Sequence, residues 1–445
     1  MTETEKFLER CRGAGIVMGL GQMRRLLKKL NQPQDSMDFI QVAGTNGKGS
    51  VTSCLASVLS RAGYRTGSFA SPAVFSPEET VRVDGVEITA AEMEAAYRQV
   101  ELAAKQMEAE DGSWPTAFEA ETAVALCCFR EKGCRIAVLE TGLGGDLDAT
   151  NVVGRTLCCV FTSISRDHCR ILGGTVAEIA GHKAGILKPG ALAVSCTQTP
   201  EAEAVLRQKC LEAGTELLTV KPERISHCRI LLEEFAQRFC YRSSKGTDYE
   251  IFLRLAGDFQ RQNAAAVVEA AEALAGRGYP VKKEHIEAGL SEVCWHGRLE
   301  RVRTNPAAVL DGAHNPGAAA ELAAALQAYL PGKRLYFIMG IFADKDYRQV
   351  IRLTAGLAAG IVTVTAPGPR GLQAPELARA IREETGAQAR AAVSMEEAVQ
   401  IQLQAAGQDG AVIVFGSFSI LKEARELLLT AQDGIIQKES CNGKS

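Results

Sequence analysis

The chain has 445 residues, of which 46% are hydrophobic and 23% charged, with a formal net charge of -3. That length exceeds one ordinary core, so two or three domains are expected, and the near-neutral balance excludes a surface built as a whole to coat a polyanion. No apolar run approaches the roughly 20 residues of a membrane span, and the charged start "MTETEKFLERC" has no apolar signal core.

A cytosolic protein is therefore expected, with no nucleic-acid and no membrane partner. The 14 cysteines are scattered without a C-x-x-C and read as reduced, packed thiols.

In chain order, "DFIQVAG" reads as a buried strand that runs into "VAGTNGKGSV", residues 42–51. The usual phosphate loop places a glycine five residues before the Gly-Lys pair and Ser or Thr directly after the Lys. Here Val42 takes the first place and Gly49 separates Lys48 from Ser50. The context is nevertheless right: a strand, a glycine turn, a helix start. Gly44, Gly47 and Gly49 let the backbone approach phosphate, and the amides of Thr45 and Asn46 and the helix start face the anion. Lys48 adds a point charge, and Ser50 is placed to reach a metal.

A helix follows in "SVTSCLASVLSRAGY", with Val51, Leu55, Val58 and Leu59 at helical spacing and Gly63 as its stop. "TGSFAS", "RIAVLETG", "LCCVFTSIS" and "ALAVSCT" are short apolar runs, the pattern of parallel strands covered on both faces. The class is α/β, with chemistry expected at the carboxyl ends of the strands. Residues 222–256 read as a small antiparallel patch with Gly246 near its turn. Gly257 then leads into the alanine-rich helix "FQRQNAAAVVEAAEALAGRGY". From Leu299 a second α/β pattern begins: "AAVLDG", "NPGAAAELAAALQAYL", "RLYFIMG", "IVTVT" and "AVIVFGS". The expected domains are 1–296 and 297–430, with a frayed tail at 431–445.

Three strand ends offer metal donors. Ser71 follows "GSFA", Glu140 ends "RIAVLE", and His168 closes "SISRDH". A hydroxyl, a carboxylate and an imidazole there can converge on Mg²⁺, although imidazole is an unusual partner for that ion. Lys183, in "IAGHKAGILKPG", has apolar helical flanks. It is either paired, modified or snorkelling from a surface helix.

Taken together, "AGTNGKGS", Ser71-Pro72, "TAFEAETAVAL", "LETGLGGDLDATN", "DHCRILGGTVAEIAGHKAGILKPG", "GDFQRQNAAA", "WHGRLERV", "LDGAHNPGA", "GIFADKDY" and "GSFSI" resemble folylpolyglutamate synthases and the related dihydrofolate synthases of the Mur-ligase superfamily. The resemblance runs from about Gly19 to about Leu421. It accounts for the compressed loop, which has the Mur-type form.

The resemblance implies an N-terminal P-loop ATPase domain with a parallel sheet and a C-terminal Rossmann-like domain, with the active site in the cleft between them. It implies ATP and Mg²⁺ as cofactors, and a folate (tetrahydrofolate or dihydropteroate) and L-glutamate as substrates. A monomer is expected. Ser71, Glu140 and His168 match magnesium ligands, and Lys183 a lysine carried as a carbamate. Asn263, Arg298, Asp311 and His314 match nucleotide positions, and Phe118 and Glu119 a motif near the folate. Lys48, Lys183 and His168 are the expected catalytic groups.

Three positions depart from the common wording: Ala73 after Ser71-Pro72, Asp146 after Gly144-Gly145, and Phe259 before Gln260. They read as marks of a subgroup. The reaction implied is ATP-dependent addition of glutamate through an acyl phosphate. A dihydrofolate synthase, alone or bifunctional, is the alternative within the class. A nucleotide-driven switch and a non-catalytic folate binder are the alternatives outside it.

Overall fold

A computed structural model of the chain describes residues 3–15 and 17–431. Apart from Ala431, the expected tail lies outside the described residues. The chain divides into two compact units: Met1–Arg254 with Asp258–Trp295, and Leu255–Gly257 with His296–Ser445.

The first unit is organised by an eight-stranded sheet. Its strands are β1 (Asp38–Ala43), β2 (Thr66–Phe69), β3 (Val81–Val83), β4 (Val86–Glu87), β5 (Ile136–Glu140), β6 (Thr156–Phe161), β7 (Leu192–Ser195) and β8 (Leu217–Thr219). Their order is β4-β3-β2-β5-β1-β6-β7-β8. The strands from β2 to β8 in that order are parallel, and β3 and β4 form an antiparallel edge. Every residue of β2 and β5 is buried, which is why these segments read as unbroken apolar runs. Val42 pairs with Glu140 on one side and Val160 on the other, so the loops after β2, β5, β1, β6 and β7 leave the sheet side by side. One core cluster gathers Met23, Phe39, Phe69, Val100, Phe129 and Leu139; a second gathers Phe161, Ile179, Ile186 and Leu206.

The patch at 222–256 is a three-stranded antiparallel sheet of β9 (Ile225–Leu231), β10 (Ala236–Arg242) and β11 (Asp248–Leu253). In β10, Phe239 and Tyr241 are buried while Arg238 and Arg242 face out, the period-two pattern of a sheet with one covered face. That face is fastened to the helix Phe259–Leu274. Tyr241 Oη donates to Glu269 at 2.6 Å and Tyr249 Oη to Glu272 at 2.7 Å.

The second unit holds a six-stranded sheet of β12 (Glu300–Thr304), β13 (Ala307–Leu310), β14 (Arg334–Met339), β15 (Ala358–Thr363), β16 (Ala389–Ala391) and β17 (Gly410–Phe415). The order is β12-β13-β17-β14-β15-β16, with only β12 antiparallel. Both units are thus α/β.

The 13 cysteines among the described residues are free, and most are buried. Burial pushes the Cys54 thiol up to about 12, which suits packing and not reactivity. No helix among the described residues is long and apolar enough to cross a membrane.

Candidate nucleotide and ligase site

The loop after β1 is built as tightly as its glycines suggest. The helix Lys48–Arg61 is entered through Gly47 at φ 88°, a left-handed conformation that glycine takes without penalty. A Cβ on Gly47 would lie 2.9 Å from Asn263 Nδ2 and Oδ1, and one on Gly49 2.9 Å from the Trp295 indole nitrogen. A Cβ on Gly44 would lie 1.8 Å from Thr162 Oγ1. The glycines of this loop therefore serve close packing of the protein on itself. Gly44→Ala is expected to cost about 1–3 kcal/mol of stability, because Thr162 is fully buried and tied by its amide to Ala43 O, so it cannot retreat freely. Denaturant titration of the variant reads this directly.

The loop is zipped to the one after β6. Thr45 Oγ1 donates to the Ser165 carbonyl at 2.9 Å and accepts from the Ser165 amide at 3.0 Å, while the Thr45 amide donates to Ser163 O at 2.7 Å. Lys48 Nζ donates to Thr45 O at 3.2 Å and stands 3.9 Å from Glu140 Oε1. Glu140, the last residue of β5, is only 4% exposed. A buried carboxylate is costly unless a cation faces it, and Lys48 does. Ser50 lies in the first turn of the helix behind this loop. It is 0% exposed, and its Oγ accepts from Gln260 Nε2 at 3.0 Å.

Lys183 does not snorkel. It sits at the end of the helix Val176–Ala184, 5% exposed, and its Nζ donates to Gly44 O at 2.7 Å. Burial pulls its ammonium down to about 7, and the positive charge of Lys48 adds to the effect against the weaker pull of Asp167 and Asp148. In the unfolded chain the same amine keeps its proton up to the ordinary lysine range. Between about 7 and about 10.4 the unfolded state therefore binds more protons, and stability should rise with pH across that window. Lys183→Met should flatten that rise, measured by denaturant unfolding at the two ends of the window.

Gly145 is pressed against the backbone around Lys183: a Cβ there would lie 2.7 Å from His182 O and 2.8 Å from Lys183 O. Asp146 N donates to His182 O at 3.0 Å, and the Asp146 carboxylate faces His182 Nδ1 at 3.0 Å. The departure at Asp146 thus has a partner in this chain.

Ser71 is half-buried in the loop after β2. Glu79 orders that loop by accepting from the amides of Val74 and Phe75. Phe118 packs against Phe69 with ring centroids 5.9 Å apart and covers Gly142, so it lies at the ends of β2 and β5. Glu119 is mostly a structural cap: its Oε2 accepts from Thr116 N at 2.9 Å and Gln22 Nε2 at 2.7 Å. Its Oε1 is buried without a hydrogen-bond partner. His168 follows β6 on an exposed turn at φ 51°, its side chain 45% exposed.

Among the described residues no three His, Cys, Asp or Glu gather as a metal cage. Oxygen donors stand at the strand ends, Glu140 above all, which fits a hard ion that keeps most of its water.

In the second unit, Asp311 follows β13 and is buried. Its Oδ2 accepts from Leu299 N and its Oδ1 from Ala313 N, both at 2.8 Å. Burial raises its carboxyl above the usual range, opposed by Arg298, those amides and His314. The Arg298 guanidinium lies 4.2 Å from the Phe418 ring centroid, and His314 meets the same ring edge-on at 6.0 Å. Gly312 leaves the room that Phe418 and Arg298 fill.

Two residues stand at the loop without having been singled out. Gln260 holds Ser50, and Trp295 covers Gly49 while carrying Arg82 at 5.2 Å. A glutamine and an asparagine three apart in an alanine-rich helix were the only signal for the first.

The chain matches the family described as Mur ligase middle domain over residues 42–271 and that described as Mur ligase, glutamate ligase domain, over residues 297–418. It is 34% identical over 368 residues to a dihydrofolate synthase/folylpolyglutamate synthase of Bacillus subtilis, covering 82% of this chain and 84% of that one. It is 34% identical over 408 residues to a folylpolyglutamate synthase of Lacticaseibacillus casei, covering 91% and 93%. The solved structure of Mycobacterium tuberculosis folylpolyglutamate synthase complexed with ADP and AMPPCP superposes with a TM-score of 0.86 at 29% identity, over 97% of this chain and 100% of that chain. With both Mur-ligase domains and full-length relatives of one kind, the chain belongs to the folylpolyglutamate and dihydrofolate synthase family of Mur ligases.

Proposed function

We propose that the protein is an ATP-dependent ligase that adds L-glutamate to a folate, with tetrahydrofolate and its polyglutamates as the acceptors. The observation that carries this reading is the cluster of Lys48, Glu140 and Lys183 around the Gly44–Ser50 turn, one charged group from each of three neighbouring segments.

A carboxylate resists attack by an amine because resonance and charge protect it. Transfer of the γ-phosphoryl group of ATP to the folate carboxylate gives an acyl phosphate with a good leaving group. The α-amine of glutamate attacks its carbonyl, phosphate departs, and an amide remains. The protein's task is positioning and charge stabilisation. Lys48 and the amides from Gly44 to Ser50 would hold the β- and γ-phosphates. Glu140 and Ser71, with His168 as the weakest member, would hold Mg²⁺, which when bound neutralises phosphate charge. Asn263, Arg298, Asp311 and His314 are the proposed nucleotide contacts, and Phe118 and Glu119 the folate contacts. Lys183 would act as its carbamate, an anion beside Lys48.

Relatives bear the names of both synthases, so dihydropteroate is the alternative acceptor. Incubation with ATP, Mg²⁺ and glutamate, offering tetrahydrofolate or dihydropteroate in parallel, separates the two by product mass. Glutamylation of tetrahydrofolate is expected. Product from dihydropteroate alone would reassign the substrate, and ADP release without either folate would point to a switch.

A further inference from the structure

The hydrogen bond to Ser50 is the first link of a longer chain. Gln260 lies in the first turn of the helix Phe259–Leu274 and is buried. Its Nε2 donates to Ser50 Oγ at 3.0 Å, and its Oε1 accepts from Asn263 Nδ2 at 2.9 Å. Asn263 Oδ1 accepts in turn from the Cys196 thiol at 3.6 Å. Four buried side chains from three segments form one polar line: the helix that carries Lys48, the helix Phe259–Leu274, and the stretch after β7.

Burial makes each link costly to lose, because an unpaired amide has no water to turn to. A glutamine amide has one donor edge and one acceptor edge. Donating to Ser50 leaves the acceptor for Asn263, which must then present its nitrogen to Gln260 and its oxygen to Cys196. Gln260 and Asn263 are three apart on the helix, so they share a face. That face meets the loop at Gly47, where a Cβ would touch both Nδ2 and Oδ1 of Asn263 at 2.9 Å.

We propose that Gln260 is a positioning residue for nucleotide binding: it sets the orientation of the Asn263 carboxamide against Gly47 and ties it to the helix that carries Lys48. The proposal rests on the reading of this loop and Asn263 as nucleotide contacts. Gln260 is buried and acts through Asn263. Its loss should weaken ATP binding and leave the chemical step nearly intact.

Gln260→Met in the full chain has a similar length with neither donor nor acceptor. The Kd for Mg–ADP, by calorimetry, is expected to rise about tenfold, the scale of one or two net hydrogen bonds. The KM for ATP should rise in step while kcat at saturating ATP stays within about threefold, a split that general loss of structure does not produce. The double variant with Asn263→Ala should bind no more weakly than Asn263→Ala alone, since both cut the same line. Wild-type affinity in Gln260→Met, or full additivity in the double variant, overturns the proposal. Should circular dichroism show Gln260→Met unfolded, Gln260→Asn replaces it. That variant stays polar but cannot span both partners, so the same rise is expected and wild-type affinity again overturns. Lys48→Ala in the same titration separates the two ideas. If it binds Mg–ADP as well as wild type, the nucleotide reading of the loop falls. If it loses affinity while both Gln260 variants do not, only the positioning role falls.

Discussion

Lys48→Ala is expected to lower ATP-dependent glutamate addition by about 10²–10³-fold or more in kcat, the scale of removing one preorganised charge from a phosphoryl-transfer site. Lys48 stands 3.9 Å from Glu140 and is anchored on the turn it serves by Thr45 O. Removing it takes a cation away from a buried carboxylate, so some stability is lost as well. A folded protein is nevertheless expected, because the sheet and both core clusters lie beneath the loop and not in it. Steady-state ADP release and product formation, with circular dichroism as the control for folding, check the result. Normal turnover by this variant would remove the loop from the mechanism.

The second large effect concerns Lys183. A lysine amine at about 7 is substantially neutral near physiological pH, and only the neutral form attacks carbon dioxide. The nitrogen lone pair forms a bond to carbon, one proton leaves, and a carbamate anion results. That changes the electrostatics of the site: a group that Lys48 repels when protonated becomes an anion attracted to it. Lys183→Ala is expected to lose about 10²–10³-fold in rate, as loss of a positioned charge does, and to recover part of it with added acetate or formate. Indifference to the substitution would argue against the carbamate. Loss with no recovery would mean that the amine itself is needed.

The strand ends were the most legible part of the site. β5 is apolar to its last residue and then turns to Glu140, and only a partner or a ligand makes such a carboxylate tolerable; the structure supplies Lys48. The glycines of the loop were legible as glycines, though half of their reason was hidden. Thr162, Asn263 and Trp295 press on Gly44, Gly47 and Gly49 from segments far away in sequence, and no local pattern announces such contacts.

Ser50 shows the limit from the other side. Its position after Gly49 suggested a metal, and nothing near it in sequence announced that its hydroxyl also accepts from Gln260, 210 positions along the chain. Glu119 looked like a substrate residue and spends one oxygen on Thr116 and Gln22, a capping role that its spacing from Thr116 contained. Lys183 was ambiguous because apolar flanks suit both a buried and a snorkelling lysine, and only the contact with Gly44 decides between them. Short edge elements such as β3, β4 and β16 carry two or three residues each, too few for periodicity to register.

The most direct measurement is a crystal structure of the protein with Mg²⁺ and a non-hydrolysable ATP analogue. The account predicts the β- and γ-phosphates on the amides of Gly44 to Ser50, with Lys48 Nζ on a phosphate oxygen and Glu140 facing the metal. Phosphates bound away from that turn, or a nucleotide that leaves Lys48 on Glu140 alone, would contradict it.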